Sequence, residues 1–104
     1  MLSSKASFSQ TYGYFEMKCE LPTGQGTWPA FWLLPADGTW PPEIDIFEVL
    51  GNDTNVAYTT QHTMESGKHT GVGAANWVGD LSKGMHTYGI LWTKEKLIWY
   101  IDGE

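Results

Sequence analysis

Three carboxylates stand inside a run that is otherwise apolar and β-prone, Pro42-Glu43-Ile44-Asp45-Ile46-Phe47-Glu48-Val49-Leu50-Gly51. Charge in such a segment is costly unless a structure is built around it. Ile44, Ile46, Phe47 and Val49 favour a strand, where residues two apart share a face, so Glu43 and Asp45 point the same way. Strict alternation sends Glu48 to the other side. One extra residue in a β-bulge at Ile46-Phe47 restores the phase, so that Glu43, Asp45 and Glu48 line one face while Ile44 and Val49 turn to a core. At ~3.3 Å per residue the backbones of Glu43 and Glu48 are then ~13 Å apart, and two long side chains leaning inward can hold a sugar ring between them. Like charges this close repel, so one acid is expected to keep its proton while another is ionised. Solvent-facing acids on an edge strand are the plainer reading, and three on one face weaken it. Two carboxylates flanking one bond are what glycoside hydrolysis needs.

The chain has 104 residues and 41% apolar content, enough for one modest core. All-β sandwiches often run to 200 to 250 residues, so an incomplete domain is expected. Six tryptophans, five tyrosines and four phenylalanines beside twelve glycines suggest β-structure with tight turns and aromatic surfaces. That profile suits carbohydrate binding as well as core packing. The net charge of −6 comes without a basic run, so the electrostatic footprint of a nucleic-acid binder is missing. Cys19 is alone and reads as a structural thiol, which leaves the redox compartment undecided. No stretch approaches 18 apolar residues and no signal peptide opens the chain, so no membrane span is expected. Asn52-Asp53-Thr54 fits a glycosylation acceptor but reads better as a turn.

Phe15, Met17, Cys19 and Leu21 alternate with Tyr14, Glu16, Lys18 and Glu20, a period of two that predicts a strand over 13–21 with one buried face. Residues 27–35 form a short apolar strand fenced by Pro29 and Pro35, and Trp40-Pro41-Pro42 leads into the acidic strand. Val56 to His62 alternate again. Residues 63–76, rich in Gly, Ser, Thr and His, read as a loop that could close over a ligand. Strands over 88–93 and 97–101 form a hairpin through Lys94-Glu95-Lys96. His62, His69 and His86 lack metal-ligand spacing, and no nucleotide or phosphate loop is present, so neither a metal nor a cofactor is expected.

These segments together resemble glycoside hydrolase family 16. Glu43-Ile44-Asp45-Ile46-Phe47-Glu48 resembles the bulged form of its active-site signature. Tyr12-Gly13-Tyr14-Phe15-Glu16 is similar to its upstream strand, and Gly26-Thr27-Trp28-Pro29-Ala30-Phe31-Trp32 to its Gly-x-Trp-Pro-Ala segment. His86-Thr87-Tyr88, Trp92 and Trp99-Tyr100-Ile101-Asp102-Gly103 follow in the family's order and spacing. The resemblance covers nearly all of residues 1–104 and only the middle of a family domain. It implies an all-β, antiparallel jelly-roll sandwich (concanavalin-like), incomplete at both ends, with a substrate cleft on its concave sheet.

The chemistry of two carboxylates does not say which glutamate does what. The resemblance implies that Glu43 is the nucleophile of a retaining glycosidase, that Glu48 is the acid/base, and that Asp45 orients the nucleophile and keeps the two glutamates in different protonation states. It also implies that Glu16 contacts sugar hydroxyls, against the plain reading of an exposed strand acid. Trp28 and Trp40 are candidates to stack on pyranose rings, and His62 sits where laminarinase-like members place a cleft histidine. Trp32 is either cleft or core, and Trp92 and Trp99 read as core. Within the family, Trp40-Pro41-Pro42-Glu43 and the continuation Val49-Leu50-Gly51-Asn52-Asp53 look more like bacterial endoglycanases acting on β-1,3/β-1,4 glucans or succinoglycan-type exopolysaccharides. Sulfated substrates fit less well, since the chain is acidic and has no arginine.

The implied partner is therefore a polysaccharide, with no nucleic acid and no membrane, in an extracellular or periplasmic setting. Nothing in the sequence sets the oligomeric state. A non-catalytic, lectin-like jelly roll is the alternative, but a pure binder gains nothing from keeping an acid trio. A structural β-domain leaves the tryptophans beside the acids unexplained.

Overall fold

The computed structural model describes residues 2–64 and 67–104. Among these residues seven strands follow in order: β1 (Gly13–Cys19), β2 (Ala30–Leu33), β3 (Glu43–Leu50), β4 (Asp53–Thr63), β5 (Thr70–Trp77), β6 (His86–Trp92) and β7 (Leu97–Ile101). They form two antiparallel sheets, β1-β6-β7 and β2-β3-β4-β5. There is no helix among the described residues.

The period-two pattern of β1 does what alternation requires. Phe15, Met17 and Cys19 turn inward from the three-stranded sheet, joined by Tyr88 and Ile90 of β6 and by Leu97, Trp99 and Ile101 of β7. From the four-stranded sheet they meet Ile44, Ile46, Phe47 and Val49 of β3, Ala57 of β4, and Phe31 and Leu33 of β2. The Phe47 and Tyr88 rings close the two layers at a centroid distance of 4.2 Å. Cys19 is half-buried on this inner face and burial pushes its thiol up, as for a structural cysteine.

β3 supplies four core residues and three acids because its ladder slips. Opposite β4, pairing runs Glu43↔His62, Ile44↔Gln61 and Asp45↔Thr60 and then shifts before Glu48↔Tyr58. Opposite β2, Trp32 pairs with Asp45 but Phe31 pairs with Phe47. The bulge expected at Ile46-Phe47 lies between these registers. Both of its apolar residues enter the core instead of costing the face its phase.

The expected loop over 63–76 is corrected in part. Residues 70–77 are an edge strand, paired with β4 from Thr63↔Thr70 to Val56↔Trp77. Thr70 and Val72 are the segment's β-branched residues, set among glycines and alanines without alternation of apolar and polar residues, and pairing with β4 overrides its weak propensity. Gly73 fits because a Cβ there would overlap the Thr59 carbonyl. Met1 and positions 65 and 66 of the expected loop lie outside the described residues. An opening of about 760 Å³ lies beside β5, between Val72 and Asn76 on one side and Leu97 and Trp99 on the other. It sits on the inner face of the sheet, away from the acids.

The turn Gly51-Asn52 joins β3 to β4 and anchors the segment ahead of β2. Gly51 N–H donates to Thr27 O at 2.8 Å, and Gly24 N–H donates to Gly51 O at 3.0 Å. A Cβ on Gly51 would overlap the Gly24 carbonyl and the Thr27 hydroxyl. Gly51→Ala is therefore expected to destabilise the chain by about 1–3 kcal/mol, the usual cost of overpacking, read as a lower urea midpoint. A midpoint equal to that of the wild type would mean that this contact is not needed.

Candidate active site

Antiparallel partners share a face, so the register fixes the surroundings of the acids. Glu43 lies opposite His62, Asp45 between Thr60 and Trp32, and Glu48 between Tyr58 and Ala30. Beyond β4, the same face continues over Gly71, Gly73 and Ala75 of β5, which leaves a shallow floor beside the acids.

Asp45 is 1% exposed. Its carboxyl is hydrogen-bonded to both Glu43 and Glu48, and burial first, then hydrogen bonding and charge from the two glutamates, push it up to about 9. Its Oδ2 is also 3.0 Å from His62 Nε2. Glu43 is treated the opposite way. Burial alone would raise it, but hydrogen bonds from the Asp45 carboxyl and the Trp40 indole hold it below the usual carboxylate range. Trp40 Nε1–H donates to Glu43 Oε1 at 2.7 Å. Adjacent carboxyls are thus driven apart in protonation state, one kept neutral and one ionised.

The bulge is tied down from the opposite sheet. Trp99 Nε1–H of β7 donates to the backbone carbonyl of Asp45 at 3.0 Å, where the ladder slips. Trp99, expected in the core, packs against it and also fixes the site. Trp92 is likewise packed against the core.

Of the other expected residues, Trp40 and His62 join the acids. Trp40 remains 53% exposed, with its ring 4.6 Å from that of His69 and 5.9 Å from that of His62, so it serves Glu43 through its N–H as well as offering an aromatic surface. Trp28 is 65% exposed, just ahead of β2 and two residues before Ala30. Trp32 is exposed on the acid face as the cross-strand partner of Asp45, which decides between its two readings. Glu16 is not brought together with the others. It is exposed on the outer face of the three-stranded sheet, with the core between it and the acids, and its Oε1 accepts a hydrogen bond from Tyr14 Oη at 3.3 Å. Strand phase placed Glu16 on a polar face correctly, but the sandwich has two such faces.

His69, Tyr58 and Thr60 were not singled out from sequence. Tyr58 and Thr60 follow from the alternation of β4 once the partner strand is known. His69 carried no signal, because it reaches the site only when β5 folds back along β4. His86 belongs elsewhere: its Nδ1 is 2.7 Å from Asp102 Oδ2, tying β6 to the end of β7. One atom each of Glu43, Asp45 and His62 lie within 4.8 Å of one another, a spacing a cation could bridge. Here hydrogen bonds already join these groups to protein partners.

Two packed antiparallel sheets with a hydrogen-bonded acid trio on one outer face define the class of molecule. Comparison with known proteins names the family: residues 1–104 match the sequence model described as Glycosyl hydrolases family 16, and the chain belongs to that family. An endo-1,3-1,4-beta-glycanase of Rhizobium meliloti (strain 1021), ExsH, is 54% identical over 102 residues, covering 98% of this chain and 22% of that protein. A beta-glucanase of Rhodothermus marinus is 38% identical over 110 residues, covering 97% and 38%. The laminarinase catalytic domain of Thermotoga maritima MSB8 matches with a TM-score of 0.85 at 35% identity, covering 96% of this chain and 43% of that one. The chain thus spans less than half the length of each of these relatives. Its all-β fold is that of the family's jelly-roll sandwich, as expected from the sequence.

The proton on Asp45 has a consequence for stability. An unfolded aspartate titrates near pH 4, whereas the folded one titrates near 9, so between those values folding takes up a proton and stability falls as pH rises, by up to about 1.4 kcal/mol per pH unit. Asp45→Asn has no proton to take up and keeps a donor for Glu43. Its urea midpoint is expected to fall less than that of the wild type between pH 5 and pH 8. Parallel pH profiles would refute a protonated Asp45.

Proposed function

We propose that the acid face is the catalytic centre of a retaining endo-glycosidase that hydrolyses β-1,3 or β-1,4 glucosidic bonds of a glucan or bacterial exopolysaccharide. The observation that carries this reading is Asp45, 1% exposed on the strand face it shares with Glu43 and Glu48, where burial and the two glutamates push its carboxyl up to about 9. It keeps Glu43 ionised without leaving three negative charges side by side. The names of the relatives, an endo-1,3-1,4-beta-glycanase and a beta-glucanase among them, support the same substrate class.

In the first step the Glu43 carboxylate forms a bond to the anomeric carbon while the glycosidic C–O bond breaks, and Glu48 gives its proton to the departing oxygen. In the second, the Glu48 carboxylate takes a proton from water, whose oxygen attacks the same carbon and releases Glu43. Two inversions give net retention. Asp45 O–H and Trp40 N–H both stabilise the Glu43 carboxylate, as nucleophile and again as leaving group. Trp28, Trp32 and Trp40 offer aromatic faces to pyranose rings, and His62 stands at the nucleophile end. A polymer substrate of this size is met outside the cytoplasm, so an extracellular or periplasmic setting belongs to the same proposal.

The test is reducing-sugar release from laminarin, lichenan and succinoglycan, with folding checked by near-UV circular dichroism. Glu43→Gln and Glu48→Gln are each expected to lower release by about three orders of magnitude or more. An activated aryl glycoside, which leaves without protonation, is expected to restore glycosylation in Glu48→Gln but not in Glu43→Gln. A folded wild-type chain that binds these glucans and releases nothing would establish the lectin-like alternative instead.

A further inference from the structure

His69 precedes β5 in the return from β4, yet its ring lies on the acid face. Its Nε2 is 2.9 Å from His62 Nδ1, the ring centroids are 5.1 Å apart with the planes 24° from parallel, and Trp40 lies against it at 4.6 Å. His62 Nε2 is in turn 3.0 Å from Asp45 Oδ2.

A neutral imidazole carries one N–H donor and one acceptor nitrogen, so its partners decide its tautomer. Asp45 Oδ2 accepts from His62 whether the carboxyl is ionised or holds its proton toward a glutamate. His62 must then donate from Nε2, which leaves the Nδ1 lone pair facing His69. The 2.9 Å contact is a hydrogen bond only if His69 donates from its own Nε2. The direction of every link follows: His69 to His62, His62 to Asp45, Asp45 to Glu43, with Trp40 donating to Glu43 from the other side. Donors in series polarise one another, and here they converge on one carboxylate. Without His69, the Nδ1–H form of His62 would turn a lone pair toward Asp45 Oδ2 and put two acceptors face to face.

We propose that His69 is a positioning residue, whose Nε2–H fixes His62 as the Nε2–H tautomer and so keeps an N–H aimed at the Asp45 carboxyl beside Glu43. The consequence for turnover rests on the glycosidase reading; the tautomer does not. His69 is exposed, so substitution there leaves the core untouched. His69→Phe keeps an aromatic ring against Trp40 and removes the donor, whereas His69→Gln returns an amide N–H close to the Nε2 position.

The experiment is ¹⁵N-imidazole NMR of His62 in the three proteins, together with kcat and KM on the glucan the chain hydrolyses. His62 is expected as Nε2–H in wild type and His69→Gln, and as a mixture or Nδ1–H in His69→Phe. In His69→Phe, kcat is expected to fall about tenfold with KM within about twofold, because the change acts on the reacting carboxylate and not on sugar binding; His69→Gln recovers most of it. His62 as Nδ1–H in the wild type, or an unchanged tautomer in His69→Phe, overturns the proposal, and so does a raised KM at constant kcat. If the wild type releases no sugar, the glycosidase reading fails, and the tautomer measurement alone decides the placement of His69.

Discussion

Burying Asp45 is the constraint on which the rest of the structure depends. A carboxyl sealed from solvent between two glutamates is tolerated only if it is neutral and hydrogen-bonded. Its carboxyl meets Glu43 and Glu48 on its own strand and His62 from β4, while its backbone carbonyl is held by Trp99 from the opposite sheet. The partners come from three strands, β3, β4 and β7. The acid face therefore cannot form until β3, β4 and β7 are all in place.

The two sheets divide the work accordingly. The four-stranded sheet presents the acids outward and its apolar residues inward, and the bulge at Ile46-Phe47 allows both on one strand. The three-stranded sheet lies on the far side of the core from the acid face and backs it. Phe47 packs on Tyr88, and the Trp99 indole reaches through the core to the point where the β3 ladder slips. Catalytic geometry held by packed strands is more precise than geometry held by loops, and here the nucleophile and acid/base candidates share one strand.

Family membership and site chemistry rest on different footing. Membership follows from a match over residues 1–104 and from 54% identity to a rhizobial glycanase. The proposed chemistry rests on three acids sharing one face, where the Glu43 carboxyl is pushed below its usual range and the buried Asp45 carboxyl above it. A sandwich of this kind can host many functions, and what sets this one apart is the acids and their neighbours.

The β-class, the acid strand and its bulge were legible in the sequence because they are local. Period-two alternation places Phe15, Met17 and Cys19 on one face, and three acids in phase with four apolar residues on one strand allow little but a bulge. What lies across from the acids was not legible, because partners are chosen by the register between distant segments. Alternation alone turns Glu16 outward, but only the packing of two sheets decides which outward face it occupies. Residues 70–77 have weak propensity of their own and become a strand through pairing with β4. That pairing is what carries His69 back onto His62. The sequence by itself determined which side chains share a strand face, since that depends on backbone geometry alone; the tertiary structure decided which faces meet, since that depends on burying the inner surfaces of both sheets against each other.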